Sequence, residues 1–130
     1  MNNVEIIKGL YQAFEQGDMS GILNVLDSNV EWTESEGIPY GGTFIGHQAI
    51  IDGVFQKIGA EWDNFQAHID EFIDAGDKVI TLGIDSGTYK ATGKSMQAPT
   101  ASVWTLKDGK VVKFVQYIDT LKVVQAVSGS

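Results

Sequence analysis

Two polar residues, Ser102 and Gln116, stand among large apolar residues in runs that alternate as β-strands do. With a period of two, Ser102 shares a face with Trp104 and Leu106. A buried polar group without a partner costs about 1–3 kcal/mol. These two side chains therefore either bond to each other or donate hydrogen bonds to a ligand, such as one with a carbonyl oxygen.

A third polar residue, Glu34, shares a predicted strand face with Trp32. If both side chains point into the protein, desolvation raises the pKa of the carboxyl group towards the range of a useful general base. The alternative is that Glu34 lies at the rim of the fold or pairs with a surface cation. The pattern alone leaves both interpretations open.

The element that positions Ser102 and Gln116 is a long β-hairpin, predicted over residues 98–120. Asp108-Gly109 lies between its two β-rich runs, and this pair readily adopts the positive φ angles of a tight turn. We expect the rows before and after the turn to face the same interior. The inner row after the turn is predicted to be Val112, Phe114, Gln116 and Ile118.

The rest of the chain predicts an α+β fold, in which helices cover one face of an antiparallel sheet in a single domain over residues 1–130. Apolar spacing predicts a helix over 4–16 that ends at Gly17 and a helix over 47–58 that ends at Gly59. Asp18 is expected to cap a short second helix, with 27–29 as its exit turn, and Asp119 to cap a final segment over 121–127. The remaining chain is read as a strand over 30–36, a loop over 37–42 and strands in series from Phe65, with a phase slip near Phe72.

Composition excludes several classes of partner. The 130 residues carry a net charge of −8, which repels nucleic acid and anionic lipid. No apolar run approaches a membrane span, and the first residues lack the pattern of a signal peptide, so we expect a cytoplasmic protein. With no cysteine there is no disulfide or thiolate chemistry. No phosphate-binding loop, nucleophile elbow or zinc spacing occurs, so we expect neither cofactor nor metal.

The order of elements and several motifs resemble the NTF2-like superfamily, in its SnoaL-like or ketosteroid isomerase-like branch. The motifs are Tyr11-Gln-Ala-Phe-Glu-Gln-Gly-Asp18, Val30-Glu-Trp32, Pro39-Tyr-Gly-Gly-Thr-Phe-Ile-Gly46, Ala91-Thr-Gly-Lys94, Val103-Trp-Thr-Leu-Lys-Asp-Gly-Lys110 and Gln116-Tyr-Ile-Asp-Thr120. The resemblance implies a cone, with a curved antiparallel sheet wrapped around a long N-terminal helix, two further helices and an apolar pocket. It also implies a homodimer formed through the outer face of the sheet.

Catalytic residues carry over from the resemblance only in part. Alignment through Gly17-Asp18 places Glu34 where the isomerases have their proton-shuttling carboxylate. The tyrosine and the protonated aspartic acid of their oxyanion hole correspond to Leu10, with Tyr11 beside it, and to Ser102. In epoxide-hydrolase relatives an Asp-Arg-Asp set activates water. Here Asp85 matches one aspartate, but Gly83 and Gln116 replace the other two residues, so that chemistry is not expected.

Aromatic residues are the expected substrate-binding walls, the alternative being plain core packing. The candidates are Tyr11, Trp32, Phe55, Trp62, Trp104 and Phe114. His47 and His68 are interpreted as a helix-start residue and an exposed strand residue rather than metal ligands. Outward rows with Val103, Val111, Val115 and Tyr117 are too apolar for open solvent, which again favours a homodimer.

Together these features predict a protein with a pocket for a small apolar molecule. One hypothesis is a cofactor-free isomerase, cyclase or lyase that uses Glu34, with Ser102 and Gln116, for proton abstraction next to a carbonyl. The other is a non-catalytic binding module of the same fold for an apolar metabolite or a protein partner.

Overall fold

Two helices open the chain, whose residues 2–128 are described by the computed structural model. Helix α1 (Asn3–Gln16) begins with a reciprocal capping box between Asn2 and Glu5 and ends at Gly17, which has a φ of 69°. Helix α2 (Met19–Val25) begins at Asp18, whose side chain accepts a hydrogen bond from the Gly21 amide. The predicted ends of α1 and the cap of α2 are therefore confirmed.

Six strands form one curved sheet in the order β2-β1-β6-β5-β4-β3. The strands are β1 (Leu26–Glu34), β2 (Gly42–Ile45), β3 (Trp62–Ala75), β4 (Lys78–Tyr89), β5 (Ser95–Lys107) and β6 (Lys110–Ile118). The α+β class is confirmed, but the expectation of a purely antiparallel sheet is wrong at one pairing, since β1 and β6 run parallel. A parallel pair needs a long connection between its strands, and the whole of β2 to β5 with its helices supplies it.

Three helical segments accompany α1, as the spacing and caps predicted, whereas the family resemblance implied only two further helices. Besides α2, helix α3 (His47–Ile50), a π-helical turn (Ile51–Phe55) and α4 (Gln56–Glu61) are continuous, and α5 (Thr120–Val127) follows β6. Gly59 does not end its helix, because glycine in a helix costs only about 1 kcal/mol. The Asp119 cap of α5 is confirmed by a hydrogen bond from the Lys122 amide. No helix within residues 2–128 is long and apolar enough to cross a membrane.

One turn-like stretch was misread, and one short strand was missed. Residues 27–29 were expected to form a turn but lie inside β1. The Asp27 carboxylate still accepts a hydrogen bond from the Asn29 amide, as Asp does in turns, which explains why the sequence suggested one. The pairing of β1 with β6 is irregular there, between Leu26 and Glu31. The loop predicted over 37–42 is confirmed as far as residue 41, and β2, a short edge strand that follows it and pairs with β1, was not predicted.

The hairpin of β5 and β6 turns at Asp108 and Gly109, both with positive φ, as predicted. A register shift between Thr105 and Leu106 then changes which residues after the turn face inwards. Val111 pairs with Leu106 and is fully buried, whereas Val112 is only half-buried. Val112 was therefore wrongly placed in the inner row, and Val111 wrongly on the outer face.

Strict alternation along β4 and β5 produces the interior wall of the cone. On β5 every second residue from Met96 to Leu106 is buried, and on β4 the buried positions include Val79, Thr81 and Asp85. The buried apolar residues form two clusters, one under α1 around Trp32 and Trp104 and one near α5 around Trp62. Polar residues at buried positions of these strands are therefore placed between the clusters.

Candidate active site

A cavity of about 70 Å³ lies between the two apolar clusters. Helix α1, strands β1, β4, β5 and β6, the π-helical turn and α5 all contribute to its lining. Five of the six aromatic residues predicted as walls do line it, namely Tyr11, Trp32, Phe55, Trp104 and Phe114. Trp32 is the centre of this wall, with ring centroids 4.0 Å from Phe114 and 5.5 Å from Trp104.

Trp62 does not line the cavity, so its assignment to the substrate-binding wall was wrong. Its ring packs 5.0 Å from that of Tyr89 and 6.1 Å from that of Phe65, in the cluster near α5. The reason is that Trp62 begins β3, an edge strand whose first residue pairs with the end of β4. Trp62 is therefore a core residue, as the alternative interpretation of plain core packing predicted.

Glu34 is a buried carboxyl group with one strong donor. Its side chain is 4% exposed, and the Trp32 indole Nε1 donates a hydrogen bond of 2.7 Å to its Oε2. Both residues point inwards because they are two positions apart on β1. Burial raises the pKa of Glu34 from 4.5 to about 7. The Trp32 hydrogen bond opposes that rise, and the negative charge of Asp85 adds to it.

Asp85 is a second buried carboxyl group lining the same cavity, and the sequence had left open whether it reaches the pocket. It is 6% exposed, and burial raises its pKa from 3.8 to about 7. The Gln116 Nε2 donates a hydrogen bond of 3.3 Å to Asp85 Oδ2. None of the described residues that line the cavity is basic, so no cation neutralises the two carboxyl groups there.

Ser102 and Gln116 both line the cavity and face each other in the β5–β6 register. The sequence suggested a hydrogen bond between Ser102 and Gln116. In the structure the Gln116 amide donates to Asp85 instead. Its Oε1 is buried and has no partner within residues 2–128. Ser102 is 3% exposed and lies close enough to the Tyr11 hydroxyl to lower its pKa slightly.

The Tyr11 hydroxyl belongs to a small buried network. It lies 3.0 Å from Thr81 Oγ1, which also accepts a 3.2 Å hydrogen bond from Trp104 Nε1. Burial, the largest effect, raises the pKa of Tyr11 to about 12. Tyr11 is therefore a neutral group whose hydroxyl already has a protein partner.

The two histidines lie away from the cavity. The His47 ring donates from Nε2 to the Leu26 carbonyl oxygen at 2.9 Å, and His68 is exposed beside Asp70. Within the part of the chain that the structure describes, no three His, Cys, Asp or Glu side chains are grouped so as to hold a metal ion.

The sequence matches a known protein family over most of its length. The family model described as SnoaL-like domain matches residues 7–114, most of the chain. This chain belongs to the SnoaL-like family. A comparison with curated proteins gives no match.

Solved structures show the same fold over nearly the full length of this SnoaL-like chain. An NTF2-like protein from Burkholderia thailandensis E264 is 39% identical, with a TM-score of 0.93 and 96% of each chain covered. TerC, co-crystallised with polyporic acid, is 28% identical, with a TM-score of 0.86 and coverage of 95% of this chain and 96% of that one. A protein of ketosteroid isomerase-like fold from Catenulispora acidiphila, in complex with trimethylamine, is 17% identical, with a TM-score of 0.80 and coverage of 94% and 91%.

The SnoaL-like chain has no room for the arginine of the epoxide-hydrolase set. A Cβ atom at Gly83 would lie 1.9 Å from the His68 carbonyl oxygen on β3, so any side chain there would force the strands apart. Sequence analysis missed two further lining residues with a polar group, Tyr40 and Thr100. Tyr40 lies in the predicted loop, where no strand alternation indicates which way a side chain points. For Thr100 the available signal was its position, two residues before Ser102 on β5.

Proposed function

We propose that this SnoaL-like protein binds a small molecule with a carbonyl group and transfers a proton at the adjacent carbon. The observation that supports this is the pair of buried carboxyl groups, Glu34 and Asp85, in one largely apolar cavity. Two carboxyl groups that share a water-poor site do not ionise together, so the pair has one acid and one base near neutral pH.

The hydrogen bonds support one division of roles between the two carboxyl groups. The 2.7 Å bond from Trp32 favours the anion of Glu34, whereas the bond from Gln116 to Asp85 is longer, at 3.3 Å. Glu34 is then the base that removes the proton from carbon. Asp85 accepts from Gln116 at Oδ2, which leaves Oδ1 to carry the proton given to the carbonyl oxygen. The product is an enol. Glu34 then returns its proton to a carbon while the enol hydroxyl group returns its proton to Asp85, which regenerates a carbonyl group and completes an isomerisation.

Relatives support the binding half of this proposal. TerC was co-crystallised with polyporic acid, and the ketosteroid isomerase-like neighbour with trimethylamine. The cavity of about 70 Å³ takes only a few heavy atoms, whereas drug-sized ligands occupy roughly 300–1,000 Å³. A groove of about 630 Å³ between α1 and β3 shares Tyr11, Phe14, Phe65 and Ala67 with it, so a larger ligand would extend there.

The second candidate is the non-catalytic module that binds an apolar metabolite. Two hydrogen bonds favour it: Tyr11 bonds to Thr81, and Trp32 donates to Glu34. A purely structural role for Tyr11 and Glu34 would give them hydrogen-bond partners in the same way. Such a module needs only the aromatic wall, and its ligand affinity would not depend on the ionisation of Glu34.

Deuterium exchange separates the two candidates. The rate at which the α-hydrogens of hydroxyacetone exchange for deuterium in deuterium oxide is measured by proton NMR. The wild-type protein is compared with Glu34→Gln and with Asp70→Asn, a control variant at an exposed acid. We expect exchange catalysed by the wild type and by Asp70→Asn, and a loss of at least about a hundredfold in Glu34→Gln, the scale of a missing general base. Equal exchange rates in all three would reject the base and favour the binding module.

Assembly as a homodimer is proposed from the outer face of the sheet. Val103 and Val115 are half-buried there and Tyr117 is 62% exposed. An open sheet face with such residues is normally covered by a partner surface. Val111 no longer contributes to this argument, because it is buried within the chain.

A further inference from the structure

Two buried polar atoms on cavity-lining residues have no hydrogen-bond partner within residues 2–128. They are Thr100 Oγ1 and Gln116 Oε1. Thr100 is 9% exposed, so water does not readily satisfy its hydroxyl group. Nearly all buried polar groups in proteins are hydrogen-bonded, and exceptions call for a ligand or an ordered water molecule.

The strand register places the two residues on the same interior face, one pair apart. Ser102 pairs directly with Gln116, and Thr100 is two residues before Ser102, so Thr100 and Gln116 are diagonal neighbours on the interior face. The backbone positions of diagonal neighbours are about 7–8 Å apart, and a long side chain such as that of Gln116 reaches across this separation, so one ligand group can contact both residues. On its other side Thr100 pairs with Gly83, which has no side chain and therefore offers the hydroxyl group no side-chain partner from β4.

The chemistry of the two atoms specifies the bridging group. Gln116 uses Nε2 on Asp85, so Oε1 remains as an acceptor that needs a donor. Thr100 can donate or accept. A hydroxyl group meets both demands at once, whereas a methyl group or a carbonyl oxygen leaves Oε1 unsatisfied. An anion is disfavoured, because two carboxyl groups and no basic side chain line the cavity.

We propose that Thr100 and Gln116 select an uncharged α-hydroxy ketone, binding its hydroxyl group while Asp85 binds its carbonyl oxygen. We choose the α position because Gln116 and Asp85 are in direct contact, so the side chains that bind the two ligand oxygens lie side by side. This inference rests on the proposed function for the carbonyl. In that reaction Glu34 takes a proton from the carbon bearing the hydroxyl group, Asp85 gives its proton to the carbonyl oxygen, and an enediol results.

The test compares hydroxyacetone with butanone, which replaces the hydroxyl group by a methyl group. Binding is measured from NMR shifts of the three tryptophan indole signals. We expect hydroxyacetone to bind the wild type roughly five- to tenfold more tightly. Thr100→Val should abolish that preference, and Thr100→Ser, which keeps the hydroxyl group, should retain it. Thr81→Val is the matched control, because Thr81 is a buried threonine whose hydroxyl already has partners in the protein.

Several outcomes would overturn the inference. One is equal affinity for the two ketones in the wild type, which would mean that water alone satisfies Thr100 and Gln116. Another is an undiminished preference in Thr100→Val, and a third is the absence of any shift with either ketone. Pyruvate should bind more weakly than butanone, and tighter binding would contradict the exclusion of anions. Failure of the proposed function is distinguishable, because it would abolish deuterium exchange while leaving the hydroxyl preference intact.

Discussion

The Trp32 indole nitrogen lies 2.7 Å from Glu34 Oε2, and the same indole ring stacks 4.0 Å from Phe114. One residue therefore forms the apolar wall of the cavity and also holds the carboxyl group that this wall desolvates. The two effects act on the pKa of Glu34 in opposite directions, and burial is the larger. This balance leaves Glu34 titrating near neutral pH, where both protonation states are accessible.

The stability of the protein should fall as the pH rises from about 4.5 to about 7. The folded pKa of Glu34 is raised from 4.5 to about 7, so the acid form favours folding below pH 4.5 and this contribution is lost as the group ionises in the folded state. The loss is about 3 kcal/mol for a shift of this size. Glu34→Gln should reduce the pH dependence of urea unfolding between pH 4 and 8 without abolishing it, because burial raises the pKa of Asp85 as well. An unchanged slope would contradict the raised pKa.

Replacing Asp85 by Asn should lower the pKa of Glu34. The charge of Asp85 raises that pKa, and Asn removes the charge while keeping the shape of the side chain. A carbon-13 titration of the Glu34 carboxyl group would measure the change, with the exposed Asp70→Asn as the control. A Glu34 midpoint at or below 4.5 in the wild type would reject the base assignment itself.

Trp32→Phe should raise the pKa of Glu34 further. The change removes the indole donor that favours the anion while keeping an aromatic ring against Phe114. Trp104→Phe removes the donor to Thr81 instead and should leave the Glu34 titration nearly unchanged. Equal shifts in the two variants would show that general repacking, not the hydrogen bond, controls the carboxyl group.

Phe114→Ala should enlarge the cavity at a cost of about 3–5 kcal/mol in the free energy of unfolding, since Phe114 is 3% exposed. Ligand preference should shift towards larger ketones, as measured by the indole NMR titration. Trp62→Ala is the control for a large buried residue outside the cavity, and it should lower stability without changing the preference. If both variants altered the preference alike, the cavity would not be the binding site.

Tyr117→Lys should dissociate the proposed homodimer, because it places a charge on the exposed apolar face of the sheet. Light scattering at micromolar concentration should give a dimer mass for the wild type and a monomer mass for the variant. Ile45→Lys, at an exposed position on the edge strand β2, is the control and should remain dimeric. A monomeric wild type would exclude the assembly.

Local patterns in the sequence determined much of the framework. The stripe of α1, its end at Gly17, the Asp108-Gly109 turn and the caps at Asp18 and Asp119 depend on contacts within a few residues, and the structure has all of them. The shared face of Trp32 and Glu34 is also local, because side chains alternate along any strand.

Only the tertiary structure decided how the strands meet. The parallel pairing of β1 with β6, the register shift that buries Val111, and the position of Trp62 outside the cavity depend on residues far apart in the chain. The same is true of the candidate site, since Glu34 on β1 and Asp85 on β4 reach one cavity only because the sheet curves around α1. Alternation predicts which face a side chain takes, but sheet order and curvature determine which side chains share the space beneath that face.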